Sequence, residues 1–266
     1  MQDTEKQDTQ KSDTLGSNPE MNNDCDLELT LDLFELFKTP REKRDEAWIE
    51  EFFDVASHAS LVTAEPQISR GPDGFPYLTL SLPKPNEDFD AVSVHHALDY
   101  CLKQGCGIAL FGSPDDLRQP EWIFTFGSLW AYRRFGNFIG DPSALRSAEE
   151  SALAESKENA ENKAAGEEGR EVMVSNPPED FLPSYARSAL GRFLKEAVGL
   201  QEPHVAMITD PKDEKSRSLM FTDLLPERFE KEEHFMQLMT ALRWFLPATL
   251  RVMVAVPQLA QYNGRL

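Results

Sequence analysis

Residues 41–142 and 181–266 carry one order of helix and strand signals twice, and the prolines punctuating that order recur at nearly constant distance. Pro66 and Pro203 stand 137 positions apart, whereas Pro83 to Pro226 and Pro114 to Pro257 are both 143. A six-residue difference in one hairpin accounts for the change. In the first stretch, Trp48 to His58 sets Trp48, Ile49, Phe52, Phe53, Val55 and Ala56 at helical spacing. A strand around Gln67–Ser69 follows Glu65-Pro66, Gly71-Pro72-Asp73-Gly74 signals the hairpin turn, and Tyr77–Leu82 returns to Pro83. A helix over about Ala91–Gln104 then ends at Gly105, a good left-handed cap, before the apolar strand Gly107–Phe111.

The second stretch repeats this order. It has a helix over Tyr185–Val198 ended by Gly199, a strand His204–Thr209, a hairpin tip Asp210–Lys215 and a return strand Ser218–Thr222. A helix Glu232–Phe245 and a strand Arg251–Val256 complete it. At an offset of 143, Val92, Leu98, Cys101 and Leu102 fall on Phe235, Ala241, Trp244 and Phe245, so the helix faces agree as well. The expected fold is α+β: two copies of an α-β-β-α-β unit, each a small mostly antiparallel sheet with packed helices, joined by an acidic flexible linker. The first copy has an extension that the second lacks. Trp122–Phe126 reads as an added strand, and Ser128 reads as the cap of a short helix holding Trp130, Tyr132, Arg133, Arg134 and Phe135.

Between and before the repeats the composition changes. Residues 1–25 are polar with almost no apolar side chains, and residues 143–180 are rich in Ala, Glu, Asn, Lys and Ser; both are expected to be disordered, the second acting as a tether. Residues 26–40 differ from both. Asp26 to Leu31 alternates acidic and apolar residues, as a strand would, and Leu33, Phe34, Leu36 and Phe37 then crowd together. This segment either docks on the first domain, the simpler expectation, or is offered to a partner.

The net charge of −19 divides as −7 over residues 1–40, −7 over 41–142, −6 over 143–180 and +1 over 181–266. Such acidity disfavours nucleic acid and anionic membrane, where Lys and Arg drive binding, and suits a basic protein partner. No apolar run is long enough to span a bilayer, and Met1 to Asn23 has no basic region followed by an apolar stretch. Three unpatterned cysteines, Cys25, Cys101 and Cys106, fit a reducing cytoplasm.

Catalytic signals are weak throughout. His95, His96, Cys101 and Cys106 lack the second closely spaced ligand pair that zinc requires, and the offset to Leu238 places His95 on a buried face. Phe126-Gly127-Ser128 lacks the second glycine of a nucleophile elbow, and no phosphate-binding glycine loop is present. No catalytic, cofactor or metal residue is assigned. Seven aromatics within Trp122–Phe138, interleaved with Arg133 and Arg134, have the make-up of a binding hot spot. Trp122, Phe124, Trp130, Tyr132, Arg133 and Arg134, with Leu33, Phe34 and Phe37, are therefore the candidate protein-binding residues, although core packing also explains many of these rings.

The helix Trp48–His58, the hairpin Asp73-Gly-Phe-Pro-Tyr-Leu78 and the step Leu98–Phe111 resemble the enhanced serine sensitivity protein B-like (SseB-like) family of bacteria. In the second half the likeness extends to Tyr185–Leu190 and the hairpin after Glu202-Pro203. The resemblance implies a bacterial cytosolic protein with two related α/β halves and no established catalytic residues. The long linker and the aromatic extension depart from the family. The functional expectation is a non-enzymatic protein-interaction module. Its alternatives are an immunity-type protein neutralising a basic toxin, and an enzyme of unrecognised type using His58, His95 or Asp210 in a cleft between the halves.

Overall fold

The computed structural model describes residues 26–141, 172–211, 213–255, 264 and 266. The disorder expected for residues 1–25 and for most of the linker falls outside these residues. Among the described residues there are six α-helices and two four-stranded sheets, an α+β architecture.

Helix α1 (Leu27–Phe37) and helix α2 (Glu46–His58) precede the hairpin β1 (Val62–Arg70) and β2 (Pro76–Ser81). Helix α3 (Val94–Gln104) leads to β3 (Gly107–Phe111), and β4 (Trp122–Phe124) leads to α4 (Phe126–Phe135). The first sheet has the order β1-β2-β3-β4, with β2 and β3 parallel and the other pairs antiparallel. Local sequence explains most of the boundaries. Asp45 caps α2 by accepting from Trp48 N at 3.0 Å, and Ser93 caps α3 by accepting from His96 N at 3.1 Å. Trp48, Phe52, Val55 and Ala56 then bury one face of α2, while Ala97, Leu98, Cys101 and Leu102 bury one face of α3. Gly105 ends α3 at φ +74°, a conformation that an L side chain resists.

The second sheet, β5-β6-β7-β8, begins with a strand that composition hides. Met173–Ser175 forms β5, paired antiparallel to β6 (Val205–Asp210), inside the stretch read as tether. Only three residues long, β5 offers no periodicity for sequence to reveal. Helix α5 (Ser184–Val198) precedes β6, β7 spans Asp213–Phe221, and α6 (Glu232–Trp244) leads to β8 (Arg251–Met253), which lies parallel to β7. Strand β7 thus starts inside the expected hairpin tip. Ile68 pairs with Leu78 and Ile208 with Ser218, ten positions apart in both hairpins, so the six extra residues are not in the turn.

Three expectations for the first half need correction. The segment read as half strand is helix from Leu27 onward, because Asp26 Oδ1 accepts from Glu28 N at 2.7 Å and Leu29 N at 3.3 Å. Ser128 is not a cap; Thr125 is, accepting from Ser128 N at 3.1 Å, while Ser128 Oγ donates to Thr125 O at 2.8 Å. Phe126 therefore belongs to α4 rather than extending the alternation of Trp122 and Phe124.

The two halves share one core. A continuous cluster of buried apolar residues runs from Leu33 and Phe52 through Leu78, Ile108 and Trp130 to Leu190, Trp244 and Leu246. Trp244 sits in the seam between the halves, stacked on Phe75 at 4.3 Å and donating from Nε1 to Tyr77 OH at 2.7 Å. Helix α4 approaches the end of α6 so closely that a Cβ on Gly127 would lie 2.1 Å from Leu246 O. Asp141 N also bonds Thr249 Oγ1 at 3.0 Å, and Arg192 donates to Gln104 O at 2.9 Å, which completes the join.

Candidate functional site

Helix α1 is pinned at its start and open along one side. Asp26 N donates to His58 O at 2.9 Å, and the buried Thr30 hydroxyl accepts from Ser60 N at 2.8 Å, so the first turn is stitched to the end of α2. Leu33 is fully buried and Leu36 nearly so, and the Phe37 ring sits 6.1 Å from Phe52. Trp48 Nε1 donates to Leu36 O at 3.2 Å and anchors the far end. The segment thus docks in cis. Its other side is exposed: Leu27 is 62%, Leu31 68% and Phe34 48% accessible. These three residues follow i, i+4, i+7 spacing and form one stripe.

At the C-terminal end of α1 the stripe runs into an open cleft of about 650 Å³. Phe34, Phe37, Lys38 and Arg41 form one wall, and the β3–β4 loop, with Ser113, Arg118 and Glu121, forms the other. Leu117 in that loop is also exposed. A charge network sets the walls. Glu121 accepts from the buried Arg44 at 2.7 Å, and the Arg44 guanidinium lies 4.5 Å above the Trp48 ring. Arg41 donates to Pro120 O at 2.7 Å. Arg118 bonds Asp116 at 2.8 and 2.7 Å and holds that carboxyl down at about 2. Lys38 pairs with Glu35 at 2.6 Å and lies 4.8 Å from the Phe34 ring centre.

Of the two roles open to the aromatic extension, packing is the one most of its rings take. Phe124 and Trp130 are buried, with 0% and 1% exposure, so a partner cannot reach them. Trp122 and Phe124 pack on Phe52 at 4.9 and 5.9 Å, and Trp130 meets Tyr185 of the second half edge-on at 6.4 Å. Tyr132 is half-buried, stacked on Phe138 at 4.3 Å. Arg133 and Arg134 are exposed; Arg133 pairs with Asp99 at 3.1 Å and Arg134 lies over Phe135 at 5.0 Å. The rings serve as packing between α2, β4 and the second half, and the two arginines are left at the surface.

The histidines also differ from expectation. His95 is exposed rather than buried; its ring stacks on His58 at 4.9 Å, and its Nδ1 lies 3.3 Å from Tyr132 OH. Cys101 and Cys106 are buried, and burial pushes the Cys101 thiol well up. Among the described residues, no three His, Cys, Asp or Glu side chains are grouped to hold a metal ion. Asp210 ends β6 at the hairpin. Where sequence placed a cleft between halves, the rings of Phe75, Phe126, Trp244 and Phe245 fill the seam.

Of the residues singled out from sequence, the structure brings Phe34 and Phe37 together at an accessible site, with Leu33 beneath them as anchor. Leu27, Leu31 and Leu117 were missed. Reading Asp26 as a helix cap would have revealed the first two, since helical spacing alone aligns them with Phe34. Among the described residues, no helix is long and apolar enough to cross a membrane. No family model, curated protein or solved structure matches the chain.

Proposed function

We propose that this protein is a non-enzymatic protein-interaction module, built from two copies of one α-β-β-α-β unit joined by an acidic linker. Its contact surface is the exposed stripe of α1 together with the adjoining cleft. The observation that carries this reading is the stripe itself: three large apolar side chains, each about half or more exposed, aligned on a helix whose opposite face is buried. Leaving such a patch in water is unfavourable, and contiguous apolar patches rimmed by polar groups mark contact sites. The rim supplies aromatic and guanidinium groups at Phe34, Phe37, Arg41 and Arg118, the residue types that dominate interface energetics. The SseB-like resemblance and the cytoplasmic setting belong to the same reading.

The acidic side chains along α1 favour a basic partner, and a neutralised basic toxin is one partner with that chemistry. The test is a comparison of captured proteins between the natural chain and a Leu27→Ser, Leu31→Ser variant, both at low salt. A stoichiometric partner present with the first and lost with the second supports the reading. A partner retained equally by both removes α1 as the contact.

A further inference from the structure

Around α1 the three kinds of side chain separate into sectors. At about 100° per residue, Leu27, Leu31 and Phe34 fall within about 60° of one another. Glu28, Asp32 and Glu35 fill the next sector, centred about 100° away, and all three are exposed. Thr30, Leu33 and Leu36 hold the remaining sector and are buried. The stripe is therefore bounded by carboxylates on one side and by the body of the protein on the other. Along the helix it extends about 10 Å from Leu27 to Phe34.

From this arrangement we infer that the occupant of the stripe is an amphipathic helix of a partner protein, with Lys or Arg along one edge only; the inference rests on the interaction reading above. A helix fits because the surface offered is itself a helix, with its backbone groups bonded internally and a ridge of side chains spaced i, i+4, i+7. An extended strand would need an open sheet edge, which α1 does not provide. Charge fixes the orientation. A basic edge there faces Glu28 and Asp32, and Glu35 shared with Lys38, while the opposite edge lies against the protein and the cleft. Lys38, on α1's own C-terminal end, is already held by Glu35, and Arg41 and Arg118 line the cleft rather than this edge. The two long segments of this chain outside the described residues carry the wrong charge to serve instead, residues 1–25 holding six acidic and two basic residues and 142–171 eight and four, and residues 256–263 have no charged side chain to form a basic edge.

The experiment uses the full chain and three synthetic helical peptides of about 18 residues sharing one leucine stripe. The first carries lysines along one edge, the second carries glutamates there, and the third carries the lysines on the opposite edge of the same polarity. Fluorescence anisotropy at low salt is expected to rank the first above the second by about tenfold, the size of a few exposed ion pairs turned to repulsions. The third is expected to bind weaker than the first. A Glu28→Lys, Asp32→Lys, Glu35→Lys variant should reverse the order of the first two, and Leu31→Asp should abolish binding of all three. Equal binding of the first two, no binding of any peptide, or an order unchanged by the charge-reversed variant overturns the helix inference. The interaction reading stands apart from these outcomes, because it is decided by the partner lost or kept in the Leu27→Ser, Leu31→Ser variant.

Discussion

Trp244 and Tyr77 lie in opposite halves of the chain and are joined by a buried hydrogen bond of 2.7 Å, indole N–H to phenol oxygen. The phenol in turn donates to Asp73 Oδ2 at 2.6 Å, so a short directional chain runs from α6 through β2 to the first hairpin turn. Removing the phenol oxygen by Tyr77→Phe leaves a buried indole N–H without its acceptor. The expected cost is about 1–3 kcal/mol, read from urea unfolding. In the Tyr77→Phe, Trp244→Phe double variant the two losses should fall short of additive by more than about 0.5 kcal/mol.

Gly127 supplies a second test of the shared core. Its missing Cβ is what lets α4 meet the backbone of Leu246, where an added methyl would come within 2.1 Å of the carbonyl oxygen. A backbone obstacle cannot rotate away, so Gly127→Ala is expected to cost about 1–3 kcal/mol and to loosen both halves in one transition. Thermal unfolding followed by near-UV dichroism of the seam aromatics checks this. Two separate transitions, with only one shifted, would show that the halves fold independently.

Alkaline pH tests burial of the seam tyrosines. Burial, then the bond to Asp73, raises Tyr77 above the ordinary 10, and burial raises Tyr185 to about 12. Both folded values lie above the unfolded value, so this contribution to stability is complete below about pH 10 and is lost as pH rises toward 12. Tyrosinate absorbance is therefore expected to show at least two of the five tyrosines ionising late and together with loss of helical dichroism. All five ionising near 10 in the folded protein would contradict the placement of these rings.

Opposite faces of α1 should respond differently to substitution. Leu33→Ala removes a fully buried side chain and is expected to cost about 2–5 kcal/mol. Leu31→Ser, on a residue 68% exposed, should change stability by less than about 0.5 kcal/mol. Chemical denaturation of the two variants distinguishes a docked helix from one held on both sides.

Much of this architecture was legible in the residues because its signals are local. Helices α2 and α3 have strong apolar periodicity and a side-chain cap, and Gly105 and Gly199 mark helix ends with a backbone only glycine adopts readily. Helix α1 was harder, since Leu27, Leu29 and Leu31 alternate with polar Glu28, Thr30 and Asp32 at period two while Leu29, Leu33 and Leu36 follow helical spacing in the same residues. Asp26 decides between them by bonding two amides of the first turn. The fate of the aromatic extension was not legible. Phe124 and Trp130 are covered by Phe52 and Tyr185, which are distant in sequence, and hydrophobic pattern does not say which distant face will arrive. His95 was misplaced by extending a repeat offset to a position where the two stretches differ, leaving it exposed beside His58.

Site-specific photo-crosslinking tests the contact surface most directly. A photoreactive amino acid placed at Leu31, and separately at the exposed Lys195 of α5 as control, would be activated in lysate of the native cell. The expected result is one discrete protein adduct from position 31, absent from position 195 and lost when Glu28, Asp32 and Glu35 are reversed in charge. Adducts of equal yield and identity from both positions, or none from position 31, would contradict α1 as the surface through which this protein acts.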